Sequence, residues 1–567
     1  MAAARRRRWS DRIPIVGVLR TYDRSWLRTD VAAGVAVTAL IVPKNLGYAG
    51  IAGVPLQNGL YAAAAGAILY AIFGTSRQIS TGPSSGLAAV AASAVLAAGL
   101  SGGQVAPFVA GITLGSGLVF LLLALLRMGW IAQFLSRAVV TGFLFGAAID
   151  VTIGELPKLT GTSVSGETPP QELVSWLGTL PEANGATVVV GVVALVTVFG
   201  LRRVAPRVPG ALVLVVGGLL ATWLLDLGAR GVALVGDVPR GLPSVQVPDT
   251  ALLLDHAATA ALASVALVMI GFSQTAGDAR TFAARHRYRI DIDQESLAQG
   301  AANVGAGLLQ GMPVSTSLSA SSLNDRSGAR SPVASLTSGV MVILTLLLLA
   351  PLFSGLPTAV LAAVIIEAVV MGMMDVPAMR RLYRVQRFDF WIAVLALVST
   401  LVVGVLAGVL VGIGLSLVWL VSVATRPALP LMAREPGTQV FRELDEFPDG
   451  ELEPDVVVVR LDGGLFFATA DALQDRVREV TDARPDLAAL VIDCGAITIV
   501  DAQGAAALHE ILDSAQDAGL AVRLARVKPA VRATLERDGV IDQLGADRVH
   551  GSVHRAVAAH RAQAPPS

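Results

Sequence analysis

Two short segments rich in serine, glycine and proline interrupt an otherwise apolar chain, and they carry groups that can bind an ion. The first reads TGPSSG at residues 81–86, and the second reads MPVSTSLSAS at residues 312–321. An apolar stretch precedes each segment and another potential helix follows it. In a membrane the backbone polar groups at such breaks must be satisfied by protein or by a water-lined cavity. Helices begin at these breaks, and helix N-termini favour anions.

A pair of such breaks in the two halves of a membrane protein points to a binding site near the bilayer midplane. The chemistry suits a negatively charged solute, because amide and hydroxyl donors can hold an anion without a strong fixed counter-charge that would retain it. The serines also have a simpler interpretation, since small residues commonly pack helices together in membranes. Two helix starts in corresponding places favour the binding-site interpretation.

The composition places these breaks in a large membrane domain. Of the 567 residues, 54% are hydrophobic and 15% are charged, which is too little charge to cover a soluble protein of this size. Long apolar runs fill residues 31–424, whereas charges are dense after residue 435. The sequence therefore predicts a cytosolic N-terminal segment at 1–28, a transmembrane domain at 29–425 and a soluble domain at 437–562.

Fourteen apolar stretches lie in the membrane part, and several are too short to cross a hydrocarbon core of about 30 Å alone. Short stretches at 84–100 and 317–325 are expected for half-helices. With a cytosolic N-terminus, nearly all loop arginines fall on the cytosolic side, as the positive-inside rule requires. The pattern predicts fourteen spans in the cytoplasmic membrane, arranged as a seven-plus-seven inverted repeat, with both termini in the cytosol.

The C-terminal part alternates between strand-like and helix-like patterns. The predicted strands are 456–461, 487–493 and 520–526, and the predicted helices are 470–480, 502–518 and 530–538. This alternation predicts a small α/β domain with a mostly parallel or mixed sheet.

Other kinds of site have little support. Cys494 is the single cysteine, so no disulfide within the chain is expected, and the six histidines lack metal-site spacing. No serine–histidine–aspartate set or phosphate-binding loop is recognisable, so neither enzymatic activity nor ATP hydrolysis is expected. The arginines at 5–8 are interpreted as a topology signal rather than a nucleic-acid contact. No cofactor is expected beyond a coupling ion, either a proton or sodium.

Several motifs, in order, resemble the SulP family of sulfate permeases and inorganic anion transporters. In the membrane part they are IVPKNLGYA at 41–49, AGVP at 52–55, NGLYA at 58–62, FGTSRQ at 73–78 and RIDIDQE at 289–295. In the tail, LFFATA at 465–470 and VDAQG at 500–504 resemble a STAS domain. The resemblance covers almost the whole chain.

The resemblance implies a core domain that carries the substrate, a gate domain that faces a second copy in a homodimer, and an elevator-like movement between them. It also implies that the anion lies between the N-termini of the third and tenth spans. Backbone and hydroxyl donors at these positions are the expected substrate-binding groups: Gly82, Ser84, Ser85, Ser317, Ser319 and Ala320.

This chain departs from the family pattern in ways that affect coupling. Many relatives carry an acid in the eighth span where this chain has Gln274, and an arginine in the tenth span where it has Ala320. An unpaired charge at the centre of a span costs about 2.5–3.5 kcal/mol on insertion scales, so the joint loss is easier to tolerate than either loss alone. In the loop before the second helix of the tail, Asp501 is expected to cap the helix.

Asp278 and Lys44 are the further candidates for coupling or for the anion pathway. Asp278 lies one turn after Gln274 on the same helix face, where it either binds a proton or cation during transport or pairs with Arg280 or another arginine at the cytosolic end. Lys44 replaces a glutamine that is usual in relatives. It faces the anion pathway or extends to an interface, and the nearby Pro43 suggests an irregular first span.

Three functions follow from these observations. The first is secondary active transport of an inorganic anion by symport, with sulfate as the expected substrate because of the resemblance to sulfate permeases. The second is an uncoupled anion exchanger or channel, or a bicarbonate or dicarboxylate carrier, on the same fold. The third belongs to another class: a membrane-anchored regulatory scaffold that acts through the STAS domain.

Overall fold

The structure, a computed structural model, describes residues 13–130, 136–166, 168–206 and 208–563. The chain divides into two compact units between Ser416 and Leu417. The first unit is helical and contains both polar breaks, and the second contains the strands of the tail.

Helices dominate the described part of the first unit, and two three-residue strands lie at the breaks. In chain order the elements are α1 (Pro14–Arg20), α2 (Leu27–Ile51), α3 (Leu56–Phe73), β1 (Thr81–Pro83), α4 (Ser85–Ala97), α5 (Val105–Leu125), α6 (Arg137–Thr160), α7 (Pro169–Thr179), α8 (Gly185–Val204), α9 (Gly210–Leu225), α10 (Thr250–Asp255), α11 (Ala257–His286), α12 (Ile292–Leu308), β2 (Val314–Thr316), α13 (Leu318–Arg326), α14 (Val333–Leu348), α15 (Thr358–Met373), α16 (Val376–Val385), α17 (Arg387–Val403) and α18 (Val405–Ala424).

Each of the fourteen predicted apolar stretches coincides with one of these helices, and α1, α7, α10 and α16 are additional. Among the described residues, eight helical segments are long and apolar enough to cross a membrane, and α4, α9 and α14 are shorter apolar helices. The half-helices α4 and α13 are short because each begins at a polar break. They are the third and tenth of the fourteen apolar helices, as predicted.

The helices of this unit pack in two groups. The core group consists of α2–α5 and α11–α14, in which α12 packs on α3 and α5 while α14 packs on α2 and α3. The gate group consists of α6, α8, α9, α15 and α17, in which α6 lies against α15 and α17. Both polar breaks belong to the core group.

Glycines allow the helices of the core group to approach closely. A Cβ added at Gly307 of α12 would lie 2.7 Å from the backbone nitrogen of Leu114, and one at Gly117 of α5 would lie 2.6 Å from that of Val304. Such distances are too short for a real side chain, so only glycine permits this separation of α5 and α12. Small residues at helix contacts are typical of membrane proteins, because they let backbones pack closely.

The two breaks meet as a short antiparallel ribbon formed by β1 and β2. Gly82 pairs with Ser315, flanked by the pairs Thr81–Thr316 and Pro83–Val314. The ribbon continues where Ser317 N donates to the carbonyl oxygen of Ser80 at 3.0 Å. This pairing satisfies backbone groups that the broken helices leave open. It also holds the starts of α4 and α13 side by side.

The C-terminal unit is the predicted α/β domain. Its elements after α18 are β3 (Met432–Arg434), β4 (Phe441–Glu443), β5 (Val456–Arg460), α19 (Ala470–Ala483), β6 (Ala489–Asp493), α20 (Ala502–Asp517), β7 (Ala521–Ala525), α21 (Pro529–Asp538), α22 (Val540–Leu544), β8 (Val549–His550) and α23 (Val553–Gln563). Strands β5, β6, β7 and β8 form one parallel sheet in that order, and β3 pairs antiparallel with β4. Strands β5 and β6 are buried on both faces, which accounts for their continuous runs of Val, Leu and Ile.

Asp501 caps α20, as the sequence predicts. Its Oδ1 accepts a hydrogen bond from Gly504 N at 2.8 Å, and its Oδ2 accepts from Phe467 N at 3.0 Å. Changing Asp501 to alanine should destabilise the first turn of α20 by about 1 kcal/mol, the usual cost of losing an N-cap. Hydrogen exchange of the first-turn amides in the full chain measures the effect. Asp501→Asn, which keeps a capping oxygen, is the matched control.

The same cap gives the C-terminal unit a dependence on acid pH. The hydrogen bond from Gly504 N, followed by the one from Phe467 N, holds the pKa of Asp501 below its usual value. A lowered pKa contributes stability that is present above the usual aspartate pKa of about 3.9 and is lost as the pH falls through the lowered value. Protection of the α20 first turn should therefore decrease below about pH 4 in the unmodified chain and not in Asp501→Asn. Equal pH profiles for the two proteins would contradict this assignment.

Candidate anion-binding site

Each break contains a serine that caps the following helix. Ser84 precedes α4, and its Oγ accepts a hydrogen bond from Leu87 N at 3.4 Å. Ser317 precedes α13, and its Oγ accepts from Ala320 N at 3.4 Å. Serine is favoured here because its oxygen satisfies an amide that has no partner within the helix. Since each oxygen accepts from its helix, its O–H proton can be donated to a ligand.

Buried amides of α12 hold β2 in place. Asn303 Oδ1 accepts from Val314 N at 3.0 Å, and Asn303 Nδ2 donates to Val314 O at 2.9 Å. Gln299 also donates to Val314 O at 2.5 Å. Both amide side chains are almost completely buried. The position of the second break is therefore fixed by the core group as well as by its pairing with β1.

A cavity of about 550 Å³, the helix-start cavity, opens where α4 and α13 begin. A water molecule occupies about 30 Å³ in the liquid, so there is room for a small anion with part of its hydration shell. Seven of the nine predicted site residues line this cavity: Lys44, Ser84, Ser85, Gln274, Asp278, Ser317 and Ser319. Gly82 and Ala320 do not line it but line a much smaller cavity nearby, which Lys44, Ser317 and Ser319 also line.

The α11 side chains on this cavity are hydrogen-bonded to β2. Ser315 Oγ donates to Gln274 Oε1 at 2.7 Å, and Thr316 Oγ1 donates to Asp278 Oδ2 at 2.9 Å. Ser315 Oγ also lies 3.4 Å from Ser84 Oγ, which joins the two breaks through their side chains. Because Oε1 of Gln274 accepts from Ser315, the amide nitrogen is the part of this side chain that can donate to a ligand.

Two expectations about this site are wrong. Asp278 does not pair with Arg280: its hydrogen-bond partner within the described ranges is Thr316. The first span is not irregular either, since α2 runs without interruption from Leu27 to Ile51 with Pro43 inside it. Neighbouring groups can satisfy the carbonyl that a proline leaves open in a packed membrane helix, so Pro43 does not have to break α2.

Several residues at the site were not singled out from the sequence. Ser315 and Thr316 lie within the second break, but only the paired strands show that their side chains reach α11. Asn45 is buried against Gly82, and its Nδ2 has no hydrogen-bond partner among the residues that the structure describes. A polar residue directly after Lys44, inside an apolar span, was the available signal for Asn45. Arg326, the last residue of α13, also lines the helix-start cavity.

Comparison with known proteins agrees with this architecture. The profile of the sulfate permease family matches residues 27–396, and the STAS domain profile matches residues 448–556. A probable sulfate transporter of Mycobacterium tuberculosis is 33% identical over 551 residues, which cover 97% of this chain and 98% of the relative. The probable sulfate transporter 4.2 of Arabidopsis thaliana is 28% identical over 578 residues, which cover 97% of this chain and 84% of the relative.

Solved structures show the same fold at lower identity. Murine solute carrier 26 family member A9, an anion transporter in the inward-facing state, superposes with a TM-score of 0.90 at 20% identity, covering 99% of this chain and 96% of that one. The transmembrane domain of a cyanobacterial bicarbonate transporter superposes with a TM-score of 0.59 at 21% identity, covering 68% of this chain and 98% of that one. The predicted fold class, a polytopic helical membrane protein with a STAS domain, is confirmed. On the match over residues 27–396 and the 33% identity across nearly the full length, this chain belongs to the sulfate permease family.

Proposed function

We propose that this chain is a secondary transporter of a small inorganic oxyanion, with sulfate as the first candidate, in the cytoplasmic membrane. One observation carries the proposal: the capped starts of α4 and α13 lie side by side at a single cavity lined by hydroxyl and amide groups. Helix N-termini carry partial positive charge, and two of them at one cavity suit an anion. The relatives named as sulfate transporters support sulfate.

The donors at this site suit transport rather than permanent retention. The hydroxyl groups of Ser84 and Ser317 and the amide of Gln274 can replace water around an oxyanion as it enters. These three groups carry no full charge, although Lys44, Arg202 and Arg326 line the same cavity, so the donors at the helix starts do not themselves trap the anion. A transport site must bind its ion firmly enough to admit it and weakly enough to release it.

We further propose an elevator-like cycle in which the core group, with its bound anion, moves against the gate group. The packing of the helices into these two groups supports this division of roles. The gate group would face a second copy in a homodimer. Both chain termini would lie in the cytosol, because that orientation puts nearly all loop arginines on the cytosolic side.

Reconstitution in liposomes tests the transported anion. Purified protein in sealed vesicles should take up radiolabelled sulfate, and excess unlabelled sulfate outside should compete with the label. Bicarbonate and dicarboxylates, offered as competitors, test the alternative substrates on this fold. Vesicles without protein give the background. Uptake at background for all of these anions would contradict the proposal and favour a regulatory scaffold that acts through the STAS domain.

Asp278 is the proposed coupling residue. A dianion beside an ionised carboxylate is repelled, so sulfate binding favours proton uptake by Asp278, which lines the same cavity. Asp278→Asn should therefore abolish the stimulation of sulfate uptake by an imposed proton gradient, while uptake driven by the sulfate gradient continues.

The controls separate coupling from general damage. Asp255→Asn changes an exposed acid on α10 and should leave the proton stimulation intact. Repeating the assay with a sodium gradient tests sodium as the coupling ion. Unchanged dependence on both gradients in Asp278→Asn would exclude this residue from coupling. No gradient dependence in the unmodified protein would favour the uncoupled exchanger or channel.

A further inference from the structure

The helix-start cavity continues into a second cavity of about 490 Å³, the basic cavity. Four residues line both: Lys44, Arg202, Ser319 and Arg326. These shared residues place the two cavities next to each other. The two cavities differ in the remaining residues: Ser84 and Ser317 of the helix starts line only the first, and Glu367 lines only the second, whereas the three cations line both.

The charges on the basic cavity are not balanced. Arg202 Nη1 lies 2.9 Å from Glu367 Oε1, so one cation has a carboxylate partner. Within the described ranges, no carboxylate lies within 4.0 Å of the Lys44 or Arg326 side chains. A charged side chain in the interior of a span is costly and usually faces a water-filled cavity where it acts on ions. Lys44, in the middle of α2, fits that description.

The two side chains of the Arg202–Glu367 ion pair differ in their exposure to solvent. The arginine side chain is 48% exposed, whereas the glutamate side chain is 9% exposed. Glu367 is a buried residue of α15, and the guanidinium of Arg202 extends to it from the last turn of α8. Arginine presents several N–H donors in a planar fork, so Arg202 can keep one contact to Glu367 and offer others to an oxyanion.

We propose that Lys44, Arg202 and Arg326 form a second anion-binding position, in series with the helix starts, and that Glu367 competes with the anion for Arg202. The ligand class is a tetrahedral oxyanion, which accepts hydrogen bonds on several oxygens. The inference rests on the proposed transport function, since it concerns the same anion. Glu367 limits the affinity of this position, so an anion attracted by the cations is not trapped before it reaches Ser84 and Ser317.

Equilibrium binding of radiolabelled sulfate to the purified full chain tests the second position. The double variant Ser84→Ala with Ser317→Ala removes hydroxyl donors from the helix starts and serves as the background. This background should still bind one sulfate per chain. Adding Lys44→Gln should weaken that binding by about tenfold or more, which corresponds to about 1.4 kcal/mol, and Lys44→Arg should largely restore it. Glu367→Gln should strengthen it severalfold, because Arg202 loses its internal competitor.

Arg203→Gln is the matched control, since Arg203 neighbours Arg202 on α8, is exposed and lines neither cavity. It should leave sulfate binding unchanged. The proposal of a second anion-binding position is contradicted if the double-serine background binds no sulfate, or if adding Lys44→Gln leaves the sulfate affinity of that background unchanged. If instead the double-serine background transports sulfate as fast as the unmodified protein, the helix-start site of the proposed function fails. The binding result and the transport result can fail separately, so each proposal is tested on its own.

Discussion

Sulfate uptake should fall by about a hundredfold or more when Ser84 and Ser317 are both changed to alanine, because each hydrogen bond to a charged group is worth about 1.5–3 kcal/mol. The change removes one hydroxyl donor from each helix start at the same cavity. It also removes both N-caps, which loosens the first turns of α4 and α13 and turns their amides away from the anion. Initial uptake rates in liposomes, at matched protein content, measure the effect.

Ser136→Ala separates the loss of a cap from the loss of a ligand. Ser136 caps α6 through a 3.2 Å hydrogen bond from Ala138 N, and it does not line the helix-start cavity. Its replacement should leave uptake within about twofold of normal, because losing a cap costs only about 1 kcal/mol of helix stability. If the double-serine variant transports as well as Ser136→Ala, the helix starts are not the site.

The second large effect concerns stability. Glu295, at the start of α12, is completely buried and accepts hydrogen bonds from the hydroxyl groups of Tyr70 and Thr75, from Thr75 N at 2.8 Å and from Ser76 N at 3.1 Å. Glu295→Ala leaves these donors without an acceptor. Each buried unpaired donor costs about 1–3 kcal/mol, so the variant should lose about 3 kcal/mol or more of folding stability. Thermal unfolding of the detergent-purified protein, followed by gel filtration, measures the loss.

Glu295→Gln gives a graded comparison, since its carbonyl oxygen can still accept from the Thr75–Ser76 backbone while its amide nitrogen cannot. It should be intermediate in stability. Glu182→Ala, at an exposed site in the first unit, should unfold like the unmodified protein. Glu295→Ala should also reduce uptake, because Thr75 and Ser76 lie in the connection that leads into β1. Equal unfolding temperatures for Glu295→Ala and Glu182→Ala would contradict the assignment.

The positions of the helix starts could be predicted from the sequence because their causes are local. Gly82 and Pro83 together disfavour a continuous helix, and Ser84 and Ser317 within the breaks are good N-caps. The soluble tail was equally predictable, since continuous apolar strands alternate with amphipathic helices. In both cases the residues that decide the structure lie within a few positions of one another.

The pairing of the breaks was not predictable in the same way. β1 and β2 have three residues each, too few to show a strand periodicity, and Ser84 and Ser315 are 231 residues apart. The apolar pattern of the span before Arg202 ends at residue 201, so the sequence does not show that α8 continues to Val204 or that Arg202 reaches Glu367. Contacts of this kind depend on how the helices pack. They cannot be predicted from a single sequence when each segment is considered separately.

The antiparallel ribbon between β1 and β2 has a consequence for how the solute is handled over a whole cycle. Its inter-strand hydrogen bonds tie Gly82 to Ser315, and separating them in a nonpolar surrounding would expose unsatisfied backbone. In the proposed elevator-like cycle the two halves of the binding site would therefore move together as one rigid body, and the bound anion would keep the same contacts throughout. Selectivity would then be the same in every state of that cycle. Only the side of the membrane to which the site opens would alternate, so the turnover rate should depend on the interface around this rigid body rather than on the contacts within it.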